Sequence, residues 1–191
     1  PSREEGLAFF GLQPGKKTLM VMGGSQGARR VNELVAASLA AFEAAGIQVL
    51  HISGPGDFDL VKPAYEQHPG AGELRSFCSE MQFALAAADL AICRSGASTL
   101  TELGYYRLPS VLIPYPFAAE DHQTRNAEIF SGPGAAELWP QGDLNESNFA
   151  GKILSLIHDE ERLVRMSEAA GRLALEDASG HVCEVIKGSL K

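Results

Sequence analysis

Short apolar runs alternate with longer stretches of helical spacing along most of the chain. The first run, residues 18–22 (TLMVM), predicts a buried strand, and helical spacing at 28–45 follows it. The alternation continues and predicts further strands at residues 47–52, 73–77, 90–93, 110–113 and 135–139. Further helices are predicted at 58–67, 80–88, 99–106, 122–130 and from 146 to the C-terminus, with breaks near 159 and at 178–180.

This order of elements is typical of βαβ units, which build a parallel sheet with helices on both faces. The predicted fold class is therefore α/β, doubly wound and Rossmann-like. No internal repeat or linker is visible, so we expect residues 1–191 to form a single domain whose C-terminal part, from about 146 to 191, is helical. Ligands of such sheets bind at the carboxyl ends of the strands, and the segments that follow the strands are the candidate sites.

Composition narrows the classes of function. The 191 residues include 16 Lys and Arg against 24 Asp and Glu, a net charge of −8, which argues against a nucleic-acid partner. No apolar run approaches the length of a membrane span. The three cysteines lie far apart, without the spacing of a zinc or redox site. The N-terminus has neither a Met start nor a signal-peptide pattern, which suggests a piece of a longer chain.

Two turns rich in small residues precede predicted helices, where free N–H groups favour an anion. Residues 23–28 (GGSQGA) follow the first strand, and they fit either a ligand-binding turn or a tight turn with Ser25 as the helix N-cap. Residues 94–102 (RSGASTLTE) follow the fourth strand. Here Glu102 has capping-box spacing from Thr99, but its carboxylate could equally accept the paired hydroxyls of a ribose.

Two other segments also have both a binding and a structural interpretation. In residues 120–126 (EDHQTRN), the amides of Gln123 and Asn126 suit sugar hydroxyls, whereas a solvated helix start is the structural alternative. His122 lacks a visible orienting partner for general-base catalysis. In residues 77–81 (FCSEM), the backbone could meet the edge of a base with Met81 against the ring, whereas core packing with an N-cap at Ser79 is the alternative.

Taken in series, residues 23–28, 93–102 and 121–127 resemble the MurG family of peptidoglycan glycosyltransferases, which make lipid II. The match runs from about residue 17 to 136. Members of that family have two Rossmann-like domains in the GT-B arrangement, the N-terminal one for the lipid acceptor and the C-terminal one for UDP-N-acetylglucosamine. The chain resembles the C-terminal, donor-binding domain alone, without the N-terminal acceptor domain.

The resemblance implies a set of substrate-binding residues: Gly24, Ser25, Gln26, Gly27, Cys78, Met81, Ser95, Gly96, Ala97, Ser98, Thr99, Glu102, His122 and Gln123. It places residues 24–27 beside the diphosphate or acceptor side of the cleft, the backbone of Cys78 at uracil, residues 95–99 around the phosphates and Glu102 at the ribose hydroxyls. His122 and Gln123 would face the N-acetylglucosamine. Cys78 stands where the family usually has an aliphatic residue, and His122 where some members have an amide.

The implied reaction is inverting transfer of N-acetylglucosamine from UDP to lipid I, without a metal ion or cofactor. No catalytic residue is assigned to this chain, because the general base is expected in the absent domain. We therefore expect the chain to bind the donor without turnover. The resemblance places the full-length protein peripherally on the cytoplasmic face of the membrane, whereas this piece should be soluble and not membrane-inserting.

Alternative interpretations remain open from sequence alone. UDP-N-acetylglucosamine 2-epimerases share the half-fold, and the chain could be the donor-binding half of a two-subunit glycosyltransferase. A non-catalytic nucleotide-binding module is a further alternative. A dehydrogenase is disfavoured, because the glycine spacing at residues 23–28 is not that of a dinucleotide site.

Overall fold

A six-stranded parallel sheet forms the centre of the protein, and the computed structural model describes residues 1–23 and 28–174 of the chain. The strands are β1 (Lys17–Met22), β2 (Ile47–Ile52), β3 (Gly72–Arg75), β4 (Leu90–Cys93), β5 (Ser110–Leu112) and β6 (Ala136–Leu138). Their order is β3-β2-β1-β4-β5-β6, the arrangement of two mononucleotide-binding halves. Pairing of β1 with both β2 and β4 places it at the centre. The predicted doubly wound, Rossmann-like α/β fold is confirmed.

Helices cover both faces of this sheet in the part of the chain that the structure describes. They are α1 (Arg3–Phe9), α2 (Arg29–Ala44), α3 (Phe58–Gln67), α4 (Met81–Ala87), α5 (Ala97–Tyr105), α6 (His122–Ser131), α7 (Glu146–Ile157) and α8 (Glu160–Leu173). Short 3-10 turns at Ala119–Asp121 and Gln141–Asp143 lie between them. The break predicted near residue 159 is confirmed, whereas the one at 178–180 lies outside the described residues.

Alternation along the strands divides the apolar side chains into two cores. Leu19 and Val21 of β1 pack in one core with buried residues of α2 and α7. Met20 and Met22 point to the opposite face, where buried residues of α1, α4, α5 and α6 form the second core. Burial on both faces explains why the strands are read as continuous apolar runs rather than as alternating patterns. Helix α8 contributes to both cores.

The structure differs from the predicted elements in a few places. Helix α1 was not predicted. Strand β3 ends at Arg75, two residues earlier than expected. Helix α2 has Ala28 in the N-cap position, so the N-cap predicted at Ser25 is wrong, and Ser25 itself lies outside the described residues. Helix α5 begins two residues earlier than expected, with Gly96 as its N-cap.

No helix of the described ranges is both long enough and apolar enough to span a bilayer.

Candidate functional site

The carboxyl ends of the parallel strands all lie at one edge of the sheet, and the candidate residues follow those ends. After β4, the chain passes through Arg94 and Ser95 into helix α5. No side chain of the described residues caps this helix, so none of them covers the N–H groups of its first turn, at Ala97, Ser98 and Thr99. Ala97 and Ser98 are exposed. Such a helix N-terminus, at the positive end of the helix dipole, is compatible with the predicted anion cradle, which stays a prediction.

Glu102 lies one turn further along α5, on a half-buried surface. Because Gly96 is the N-cap, Thr99 is the third residue of the helix and cannot be its cap, so the capping-box interpretation of Glu102 is wrong. Within residues 1–23 and 28–174, the Glu102 carboxylate makes no hydrogen bond or ion pair. Burial raises the pKa of this carboxyl group, because its charge is incompletely solvated. Hydrogen bonds from the hydroxyl groups of a ligand would stabilise the charged form of this carboxylate.

Ser95 joins the turn after β4 to helix α6. Its Oγ donates to the Gln123 carbonyl oxygen at 2.7 Å, and the Asn126 Nδ2 donates to the Ser95 carbonyl oxygen at 3.0 Å. Ser95 is fully buried. Its hydroxyl proton and its carbonyl oxygen are thus both used in hydrogen bonds within the protein.

His122 and Gln123 begin α6 with part of their hydrogen-bonding capacity already used. The Gln123 Oε1 accepts the backbone N–H of Tyr115 at 2.9 Å, which leaves the Nε2 group as the free donor. The Nδ1 of His122 lies 2.8 Å from the Ala119 carbonyl oxygen, so this nitrogen carries the proton. In the neutral ring, Nε2 is then an acceptor that has no partner among the described residues. The pair offers one donor and one acceptor, which matches the dual character of sugar hydroxyls.

Arg94 is a residue of this site to which the sequence analysis gave no role. Its Nη1 donates to the carbonyl oxygens of Ile113 and Pro114 at 3.0 and 3.1 Å, and its Nη2 donates to Gln141 Oε1 at 2.8 Å. The guanidinium also lies over the Tyr115 ring, 5.5 Å from its centroid. Burial lowers the pKa of Arg94, although a guanidinium keeps its charge at neutral pH. In the sequence, the only feature that pointed to a role for Arg94 was its position directly after a predicted buried strand.

Cys78 and Met81 follow the end of β3. In the sheet, strands β2 and β1 separate β3 from β4. Three strand spacings amount to about 14 Å, a distance that an extended nucleoside diphosphate can span. Burial is the main cause that raises the pKa of the Cys78 thiol, which disfavours a reactive thiolate. The N-cap predicted at Ser79 is wrong: Glu80 is the N-cap, and the Ser79 hydroxyl donates to the Glu80 carboxylate.

The predicted residues Gly24, Ser25, Gln26 and Gly27 lie outside the described residues. A buried polar network lies at the start of α2. Its Asn32 donates from Nδ2 to the Ser53 carbonyl oxygen and to Asp57 Oδ2, both at 2.9 Å. The Asn32 Oδ1 lies 2.9 Å from the Nε2 of His51. These bonds fix the first turn of α2 against the loop after β2, and the sequence analysis did not identify them.

Asp57 and Asp59 form an Asp-x-Asp spacing, a pattern that can hold a divalent cation. Asp57 is already a partner of Asn32, and Asp59 lies in the first turn of α3. Among the described residues, no three His, Cys, Asp or Glu side chains are grouped so that they could hold a metal ion.

Two cavities of the described part lie away from this edge. One, of about 540 Å³, is lined by Arg3, Asp89 and Glu160 among others. The other, of about 510 Å³, is lined by residues that include Arg162 and Arg172. Neither contains a predicted site residue.

Comparison with known proteins gives consistent matches. Residues 18–182 match the family described as "Glycosyltransferase family 28 C-terminal domain". The UDP-N-acetylglucosamine–N-acetylmuramyl-(pentapeptide) pyrophosphoryl-undecaprenol N-acetylglucosamine transferase of Nitratidesulfovibrio vulgaris (strain DP4) is 39% identical over 176 residues. That alignment covers 92% of this chain and 48% of the relative. The protein of the same name from Synechococcus elongatus is 43% identical, over 90% of this chain and 49% of its own length.

Among solved structures, the crystal structure of MurG from Acinetobacter baumannii superposes with a TM-score of 0.81 at 28% identity. The superposition covers 98% of this chain and 53% of that one. The chain thus spans about half the length of the relatives that it matches.

Proposed function

Because the chain belongs to the glycosyltransferase family 28 C-terminal domains and has the Rossmann-like fold of one half of a GT-B glycosyltransferase, we propose that it binds UDP-N-acetylglucosamine. The observation that carries the proposal lies in helix α5. Among the described residues, no side chain caps the N-terminus of this helix, and none is bonded to the half-buried Glu102 carboxylate one turn later. A nucleotide sugar offers a diphosphate for the first feature and a ribose diol for the second.

The proposed pose places the donor along the carboxyl edge of the sheet. The diphosphate lies at the first turn of α5, near Gly96 and residues 97–99, and the ribose hydroxyls donate to Glu102. The uracil edge meets the backbone at Cys78 beside Met81. The N-acetylglucosamine faces His122 and Gln123. Gly24, Ser25, Gln26 and Gly27 complete the diphosphate or acceptor side of the proposed site.

In the whole protein, we propose that this site serves transfer of N-acetylglucosamine to lipid I, with formation of lipid II in peptidoglycan synthesis. The C4 hydroxyl of the N-acetylmuramoyl unit attacks the anomeric carbon, the bond from that carbon to the diphosphate oxygen breaks, and UDP leaves with inversion. Negative charge then develops on the diphosphate, where backbone N–H groups of α5 stabilise it. The base that takes the hydroxyl proton belongs to the other half of the protein, which also binds lipid I on the cytoplasmic face of the membrane.

Calorimetric titration of the chain tests the proposal. We expect UDP-N-acetylglucosamine to bind, UDP-N-acetylgalactosamine to bind more weakly, and NAD not to bind. Glu102→Gln should weaken the first by at least about tenfold, because charge-assisted hydrogen bonds are worth about 1.5–3 kcal/mol. Glu128→Gln, a change at an exposed carboxylate of α6, is the matched control and should have no effect. Equal affinity of the wild type and Glu102→Gln would contradict the ribose role, and absence of any nucleotide-sugar binding would contradict the function.

A further inference from the structure

We infer that Arg94 is a positioning residue for sugar recognition, acting through the loop after β5 on the amide of Gln123. The inference rests on the proposed function, in which Gln123 faces the donor sugar. Arg94 itself is half-buried, with its guanidinium directed to the carbonyl oxygens of Ile113 and Pro114, just after β5. It therefore affects the sugar only through the groups that it holds in place.

The Arg94 side chain connects three segments of the chain. Arg94 belongs to the turn between β4 and α5, and its two Nη atoms hold Ile113, Pro114 and Gln141. The planar fork of an arginine can bond to all three acceptors at once, which a single lysine ammonium cannot do in the same geometry. The turn after β4, the loop after β5 and the 3-10 turn at Gln141–Asp143 are thereby fixed relative to one another.

The unsatisfied part of the side chain supports this interpretation. The Nε of Arg94 is buried and has no hydrogen-bond partner within the described residues. Leaving a buried N–H unpaired costs about 1–3 kcal/mol. The side chain nevertheless adopts the position in which Nη1 reaches the loop after β5 and Nη2 reaches Gln141, so these bonds determine its placement.

The loop after β5 connects in turn to the side-chain amide of Gln123. Pro114 precedes Tyr115, whose ring lies against the guanidinium and whose N–H donates to Gln123 Oε1. This bond determines which atom of the Gln123 side-chain amide remains for a ligand. With Oε1 occupied, Nε2 is the group that remains for a sugar hydroxyl. Loss of Arg94 would release the Tyr115 N–H, and Gln123 could then rotate away from its donor orientation.

The turn between β4 and α5, where the diphosphate is proposed to bind, is also held by hydrogen bonds that do not involve Arg94. Ser95 is bonded directly to the backbone of Gln123 and to Asn126, without Arg94. The first turn of α5 should therefore stay in place when Arg94 is replaced. A defect in sugar recognition should consequently appear without an equal defect in diphosphate binding.

The test compares UDP with UDP-N-acetylglucosamine in calorimetric titrations of the wild-type chain, Arg94→Lys, Gln123→Ala and the double variant. Arg94→Lys keeps the charge and removes the fork. We expect it to weaken UDP-N-acetylglucosamine by about tenfold, the value of one hydrogen bond, and UDP by no more than about twofold. Gln123→Ala should give the same pattern, and the double variant should be no worse than either single one. Arg165→Lys, on the exposed face of α8, is the matched control and should change neither affinity.

Equal weakening of both ligands by Arg94→Lys, no weakening of either, or additive effects in the double variant would overturn the inference. Failure of the wild type to bind any nucleotide sugar would instead refute the proposed function, and the inference with it. Hydrogen exchange without ligand gives a second readout: the Tyr115 amide should exchange faster in Arg94→Lys, with the amides in the middle of α6 unchanged. If Arg94→Lys does not fold, Gln141→Leu removes one acceptor only and should lower the preference for the sugar nucleotide by about two- to threefold. An unchanged preference in that variant would overturn the inference.

Discussion

His51 shows how the packing of a single residue fixes its chemistry. The ring is fully buried between Asn32 and Tyr65. Because the Asn32 amide nitrogen already donates to Ser53 and Asp57, its oxygen must accept, so the His51 Nε2 carries the proton. The Nδ1 then accepts from the Tyr65 hydroxyl. Burial lowers the pKa of His51 to about 3, so the folded protein holds the neutral ring.

This residue predicts a stability that depends on pH in a defined direction. The unfolded chain takes up a proton at His51 near pH 6.5, whereas the folded chain does so only near pH 3. The contribution is therefore fully present above about pH 6.5 and is lost as pH falls toward 3. Between pH 7.5 and 5.5, the wild type should lose about 1.4 kcal/mol from this group. Urea unfolding at both pH values measures the loss.

The matched variants are His51→Asn and His158→Asn, the second at an exposed position. His51→Asn should lower the free energy of unfolding at pH 7.5 but should also remove about 1.4 kcal/mol of its fall between pH 7.5 and 5.5. His158→Asn should keep the fall of the wild type. The same fall in all three proteins would show that His51 does not titrate on unfolding.

Residue roles differ in how far a sequence reveals them. The spacing from Thr99 to Glu102 is the same whether Glu102 closes a capping box or binds a ligand, and only the observed start of α5 at Ala97 excludes the capping box. Arg94 connects groups that lie about 20 and about 47 positions further along the chain, and no local pattern indicates such contacts.

At the scale of elements, helix α1 is an example of a helix that local sequence patterns did not predict. Its seven residues are too few to be stable alone. Its sequence does carry a capping box, in which Ser2 and Glu5 bond to each other's backbone. Packing supplies the rest: a Cβ at Gly6 would lie 2.5 Å from the Phe83 carbonyl oxygen, so only glycine allows α1 this close to α4. The strands, in contrast, could be predicted from the local sequence, because their buried apolar runs are contiguous.

Two glycines in helix interiors should consequently respond to alanine in opposite ways. Gly6→Ala forces α1 away from α4 and should lower the free energy of unfolding by about 1–3 kcal/mol. Gly151→Ala, in the interior of α7, meets open space and should raise it by about 0.5–1 kcal/mol through helix propensity. Urea unfolding of both variants measures the difference, and a shift in the same direction for both would contradict the close packing of α1.

At the scale of the whole molecule, the candidate residues that the structure describes follow the carboxyl ends of strands in one sheet. Half the length of its relatives has no counterpart in this chain. A donor site can bind the nucleotide sugar, but attack on the anomeric carbon also requires an oriented acceptor hydroxyl and a base. The proposed function places the base and the binding of lipid I in the other half of the protein.

We therefore expect the chain alone to bind UDP-N-acetylglucosamine without transferring the sugar. The measurement is incorporation of labelled N-acetylglucosamine into lipid I. The full-length relative from Nitratidesulfovibrio vulgaris serves as the positive control. Sustained transfer by the chain alone would contradict the assignment of the base to the other half of the protein.

The order of the strands also has a consequence for the route by which the chain folds. Strand β1 meets β2 after one crossover helix, but it meets β4 only after three helices and two further strands have intervened. Contacts between distant parts of a chain carry a larger loop-closure entropy and form more slowly. We expect the unit from β1 to β3 to form first in refolding, with the pairing of β1 and β4 as the slow step that joins the two halves.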